Sequence, residues 1–166
     1  MRLTVLLVWA LLSVPVAARP TAPFVDVPPC HWAAEAVAEL ADLGIFIGFP
    51  RDDAYLAANA LRQVFEGLRC DDPEWSRAFI VTAPDAFSEA RLPQLAGFTL
   101  ETTVLEQVAD RAEIAYSLTA VIDHQGERRT ELRDGTIEVW RGDDTGWRVA
   151  YAELAALDLP LFPRKH

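Results

Sequence analysis

The chain has 166 residues, about half of them hydrophobic, and a formal net charge of −10 from 25 acidic and 15 basic side chains. That length suffices for one domain or two small ones. The acidic balance excludes nucleic acid as an expected partner, because phosphate binding relies on clustered Lys and Arg, and the densest basic spot is the short Arg164-Lys165-His166.

Arg2 is followed by an almost unbroken apolar run from Leu3 to Val14 and then by Pro15-Val16-Ala17-Ala18. A charged start, an apolar middle and small residues at the cut are the order of a cleavable secretory signal, so residues 1–18 are expected to be removed after Ala18. The apolar run is shorter than the about 20 residues that a membrane anchor takes, so a permanent anchor is the weaker reading. No cysteine follows the expected cut, so lipid attachment there is not expected. The mature chain, roughly 148 residues from Arg19, carries a charge of about −11 and is expected outside the cytoplasm. Export makes an oxidising compartment plausible for Cys30 and Cys70, and leaves three possibilities: an intrachain disulfide, two free thiols or an intermolecular bridge. Without a CxxC pair or a His-rich partner set they do not make a zinc site.

Arg19 to Pro23 reads as a short tether. From His31 the apolar residues Trp32, Ala33, Ala36, Val37, Leu40, Ala41 and Leu43 recur at helical spacing, and Gly44 supplies the stop. After the apolar turn Ile45 to Pro50, a second helical run covers Leu56 to Leu68, with Leu61, Val64, Phe65 and Leu68 as its stripe. Asp71-Asp72-Pro73 breaks that helix and marks the internal boundary. One short helical signal covers Pro84 to Leu95. Beyond Gly97 the period becomes two: Ala112, Ile114, Tyr116, Leu118, Ala120 and Ile122 alternate with polar or small residues. Further runs at about 98–109, 129–140 and 146–154 are separated by turn-forming stretches. The expected fold class is therefore α+β: a helix-turn-helix segment over 24–72, then a four-stranded antiparallel meander with one short helix over 79–162.

The helical segment resembles a single S-layer homology motif. Phe24-Val25-Asp26-Val27-Pro28, His31-Trp32, and Gly44-Ile45-Phe46-Ile47-Gly48-Phe49-Pro50 follow that family's opening F-x-D-V-P, its H-W before the first helix, and its G-I-x-x-G-[YF]-P turn. Most of this signature reads as structural: Asp26 caps or braces the turn, Trp32 packs in a core or between motifs, and Gly44 and Gly48 permit backbone angles closed to other residues. The resemblance implies non-covalent attachment to cell-wall polysaccharide or S-layer components at a bacterial cell envelope or in the periplasm. The family commonly carries its glycan-binding cation in a T-R-A-E sequence. Arg62 occupies the arginine position here, with Leu61, Gln63 and Val64 replacing its neighbours, and is the expected glycan contact. Members usually carry three motifs with grooves between them, so one motif implies a homo-oligomer, a trimer, or another use of the motif.

The strand-rich half distantly resembles the nuclear transport factor 2 type of α+β cone, through Gly146-Trp147-Arg148-Val149 and the strand order. That resemblance implies a second possibility, a small-molecule-binding or degenerate enzyme domain, which would need a pocket lined by Tyr116, Trp140 or Trp147 with a converging polar group. Catalytic signatures are otherwise wanting. His124 falls in an expected turn, Ser76, Ser88 and Ser117 stand in no G-x-S-x-G elbow, and Asp52-Asp53, Asp71-Asp72 and Asp143-Asp144 lack calcium-loop spacing. The expectation is a non-enzymatic protein without metal or cofactor.

Overall fold

The computed structural model describes residues 27, 30–45, 52–85, 87, 93–142 and 146–162. The expected signal at 1–18, Asp26, Gly48, Asp143-Asp144 and the basic C-terminal residues lie outside them, as does half of the stretch expected as a helix from Pro84 to Leu95. In chain order the elements are α1 (Ala34–Asp42), α2 (Asp53–Arg69), α3 (Pro73–Ala78), β1 (Ile80–Val81), β2 (Gln94–Val108), β3 (Arg111–His124), β4 (Glu127–Gly142), β5 (Gly146–Ala150) and α4 (Tyr151–Ala156).

Local chemistry sets the ends of α2. The Asp52 carboxylate accepts a hydrogen bond from the Tyr55 N–H at 2.7 Å, satisfying one of the helix's free donors. Asp53 in the first turn and Arg69 in the last complement the helix dipole. At the far end Asp71 turns into the left-handed region (φ 55), and the Asp72 N–H reaches back to the Gly67 carbonyl at 2.9 Å. Asp72 then caps α3 through the Trp75 N–H at 3.0 Å, with Pro73 in the first turn, where its missing N–H costs nothing. The buried Ser76 hydroxyl donates to the Val64 carbonyl at 2.7 Å and ties α3 onto α2.

The sheet has five strands in the order β1-β5-β4-β3-β2, one more than the period-two pattern predicts. The extra strand is Ile80–Val81, which pairs in parallel with β5 through Ile80↔Val149 and Val81↔Ala150. Two residues are too few to display a period, which is why the alternation does not mark it. The other four form the expected antiparallel meander. Gln125 and Gly126, both at positive φ, make the two-residue turn that joins β3 to β4 and pin His124 opposite Glu127. The last strand stops at Ala150 rather than continuing to 154. Tyr151 and Leu154 are both buried, and a three-residue spacing belongs to a helix.

Among the described residues, the helices that pack on the sheet lie on one of its faces. Leu61, Val64 and Phe65 of α2 meet Leu100, Ile114, Leu118 and Val149 in a single core, closed by Leu154, Leu161 and Phe162 from the C-terminal segment. Phe65 is its aromatic centre, 5.6 Å from Phe98 and 5.8 Å, edge-on, from Phe162 between ring centroids.

Two outcomes test this packing. A Cβ on Gly67 would sit 2.3 Å from the Ser76 hydroxyl oxygen and 2.9 Å from the Asp72 carbonyl oxygen. In an open helix Gly→Ala stabilises by about 1 kcal/mol. Gly67→Ala is instead expected to destabilise by about 1–3 kcal/mol, because α3 is forced off α2, and to lower the urea midpoint. The second outcome concerns Tyr116 and Tyr151, whose phenol pKa values are raised. Burial is the first cause in both, reinforced at Tyr116 by Asp134 and Glu153 and opposed by Arg133. The folded state therefore holds these protons to higher pH than the unfolded chain. Stability should be full below the ordinary phenol range, about 10, and fall as pH rises through it. Absorbance titration of tyrosinate against denaturation monitored by circular dichroism checks this.

Candidate functional site

Cys30 and Cys70 are joined in a disulfide, with their Cα atoms 5.3 Å apart and a sequence separation of 40. The bridge fastens the start of the helical segment to the end of α2. Between these points α1 buries none of its residues. His31 Nδ1 accepts from the Ala33 N–H at 3.2 Å and shapes the entry turn. Gly44 adopts φ 68, which lets the Gly44 N–H reach Ala41 at 2.9 Å and the Ile45 N–H reach Leu40 at 3.0 Å, closing the helix.

Trp32 takes no part in this chain's core. It is 91% exposed, and Leu43 and Ile45 at the other end of α1 are 65% and 68% exposed. Single exposed apolar residues are ordinary on a protein surface. An indole, a leucine and an isoleucine all exposed at the two ends of a nine-residue helix with no fully buried residue have no core partner among the described residues.

Arg62 lies elsewhere, in the middle of α2. It is partly buried, and its Nη2 donates to the Leu100 carbonyl of β2. The structure therefore places the expected glycan cation at the joint between helix and sheet, one of its five N–H donors already engaged. The paired carboxylates hold structural posts. Asp52 and Asp72 cap helices, Asp53 pairs with Arg141 at 2.7 Å, and Asp71 occupies the turn between α2 and α3. No group of three or more His, Cys, Asp or Glu side chains that could hold a metal occurs among the described residues.

The three aromatic residues expected around a pocket in the strand-rich half do not converge. Trp147 is 4% exposed in the core, Tyr116 lies over Gly135, and Trp140 stands on the opposite face of the sheet. A recess of about 610 Å³ opens at the far end of β3 and β4, against the C-terminal segment. Ile122, Leu159 and Phe162 provide its apolar part, and His124, Glu127 and Arg129 its polar rim. His124 thus ends β3 and borders a cavity, a placement that its turn-like sequence surroundings do not signal.

The family model of the S-layer homology domain matches residues 23–53. Over those residues the chain is similar to an S-layer homology motif. The matched stretch holds Cys30, Trp32, Gly44 and the whole of α1, and ends where α2 begins. Arg62, Cys70 and the sheet lie beyond it. No curated protein matches the chain.

The position of Arg62 generates its own test. Arg62→Ala removes a charged donor from the Leu100 carbonyl and is expected to cost about 1–2 kcal/mol of stability. Urea unfolding measures this, and a wild-type midpoint would show that the guanidinium does not brace β2.

Proposed function

We propose that this protein is exported, is not an enzyme, and is held non-covalently at a bacterial cell envelope through its S-layer homology motif, by wall polysaccharide or S-layer components. The observation that carries the reading is the exposed surface around α1, with Trp32 at its N-terminal end, in the stretch that matches the family. A helix with no fully buried residue, flanked by exposed Trp32, Leu43 and Ile45, has apolar side chains available for something outside it.

A single motif supplies one wall of a groove that in multi-motif proteins of the family lies between copies. Three chains brought together through α1 would complete such grooves and cover Leu43 and Ile45. Arg62 is the residue of this chain at the family's arginine position, and four of its N–H donors are not spent on Leu100. We assign it a contact with the glycan in the assembled form. The alternative of a small-molecule-binding domain in the strand-rich half draws on the 610 Å³ recess beside His124. The motif favours envelope attachment, because it accounts for an apolar surface that the recess leaves unexplained.

Co-sedimentation of the oxidised mature protein with purified cell-wall polymer tests the reading. The wild type is expected to sediment with the polymer. Trp32→Ala should reduce retention at least about tenfold while changing stability by no more than about 0.5 kcal/mol, since the side chain is exposed. Failure of the wild type to bind in any oligomeric state rejects the proposal. Mass measurement of the secreted protein checks export through the cut after Ala18.

A further inference from the structure

The sheet face turned away from α2 carries an organised row of side chains. Antiparallel register places Val108 opposite Arg111, Arg111 opposite Trp140, and Trp140 opposite Arg148. Residues directly opposite share a face. Their sequence neighbours Ala112, Val139, Trp147 and Val149 point into the core, so this row points outward. Trp140 is 40% exposed, and the Arg111 guanidinium lies 5.9 Å from its ring centroid.

The rows on either side differ sharply. Towards the β4–β5 turn the same face continues with Gly142 opposite Gly146, where a Cβ on Gly146 would meet nothing within 4 Å. The row beside the indole thus continues with two glycines, which carry no side chain. In the other direction lie Glu106, Glu113 and Glu138, and Glu138 pairs with Arg111 at 3.5 Å. That pair leaves Arg148 as the uncompensated cation. Every other arginine among the described residues has an acceptor: Arg62 a backbone carbonyl, the rest a carboxylate. Arg148 has neither, and its Nε is buried without a hydrogen-bond partner among the described residues. An arginine Nε buried without a partner beside a partly exposed indole is a costly arrangement for stability alone.

We infer that Trp140 and Arg148 form a contact site for an acidic sugar unit of an envelope polysaccharide, with the pyranose ring on the indole face and its carboxylate on the Arg148 guanidinium. The apolar C–H face of a pyranose suits the indole. A carboxylate suits a planar guanidinium, which offers it paired donors. Glu138 and Glu113 accept hydrogen bonds from ring hydroxyls. The same glutamates repel a polymer with a charge on every unit, so the fitting ligand carries isolated carboxylates on an otherwise neutral glycan. This site rests on the envelope-attachment reading, but lies on β4 and β5, outside the motif.

The test uses the full mature, oxidised protein and two soluble probes, a disaccharide containing one glucuronic acid and its glucose-containing neutral counterpart. Indole N–H resonances are followed by NMR, with the Trp140 signal assigned by Trp140→Phe. The acidic disaccharide is expected to move the Trp140 resonance saturably, and the neutral one to bind at least about tenfold more weakly. Arg148→Gln should abolish the preference for the acidic probe, and Trp140→Ala should abolish binding of both. An unmoved Trp140 resonance with both probes overturns the site, as does equal binding of the two or an unchanged preference in Arg148→Gln. Co-sedimentation with cell-wall polymer separates the two readings. Wall retention that survives Trp140→Ala while neither disaccharide binds leaves envelope attachment standing and removes this site. Saturable acidic-probe binding without wall retention does the reverse.

Discussion

The burial of one side of α2 against the sheet governs the architecture of this chain. Leu61, Val64 and Phe65 are completely buried there. Burying side chains of this size contributes about 1.5–3 kcal/mol each. The helix also has Ser76 of α3 bonded to its Val64 carbonyl, and Arg62 reaching across to β2. A helix committed in so many directions cannot also offer a wide apolar face to α1. Consequently α2 follows the helical motif in sequence while packing as the core helix of the sheet.

The exposure of α1 follows from that commitment. With no buried side chain of its own, its place is set by the chain leading into α2 and by the Cys30–Cys70 bridge. Closing a loop of 40 residues stabilises by roughly 4 kcal/mol on the chain-entropy account. That magnitude suits a segment that contributes little burial. It ties the entry to α1 to the end of α2 while leaving Trp32 exposed. A core position for Trp32 would have brought more stability and no binding surface.

Periodicity reveals the parts of this structure that obey one rule over many residues. The stripe from Leu61 to Leu68 marks α2, and the alternation from Ala112 to Ile122 marks β3, because long elements repeat their pattern often enough to be read. Ile80–Val81 has no room for a pattern, and Tyr151 fits both the end of a strand and the start of a helix until Leu154 breaks the alternation. The motif at residues 23–53 was legible through its turn and helix-entry residues, which are local. Whether Trp32 is covered depends on what α2 does with its faces, a tertiary matter. Arg111, Trp140 and Arg148 are far apart along the chain and become neighbours only through strand register, so no local pattern announces their row.

Net charge is a poor guide to where an acidic protein can bind an anion. Along β3 and β4 the charges are largely compensated in short-range pairs: Arg128 with Asp123 at 2.8 Å, Arg129 with Glu127 at 2.7 Å and Arg133 with Glu131 at 3.1 Å. Exposed pairs of this kind add little stability, and their fields cancel within a few ångströms. The overall repulsion is screened beyond about 8 Å at physiological salt. An anion that has come within that distance responds to nearby groups, and at Arg148 the nearest uncompensated one is a cation. The excess negative charge therefore slows the approach of a polyanion more than it weakens contact with a single carboxylate.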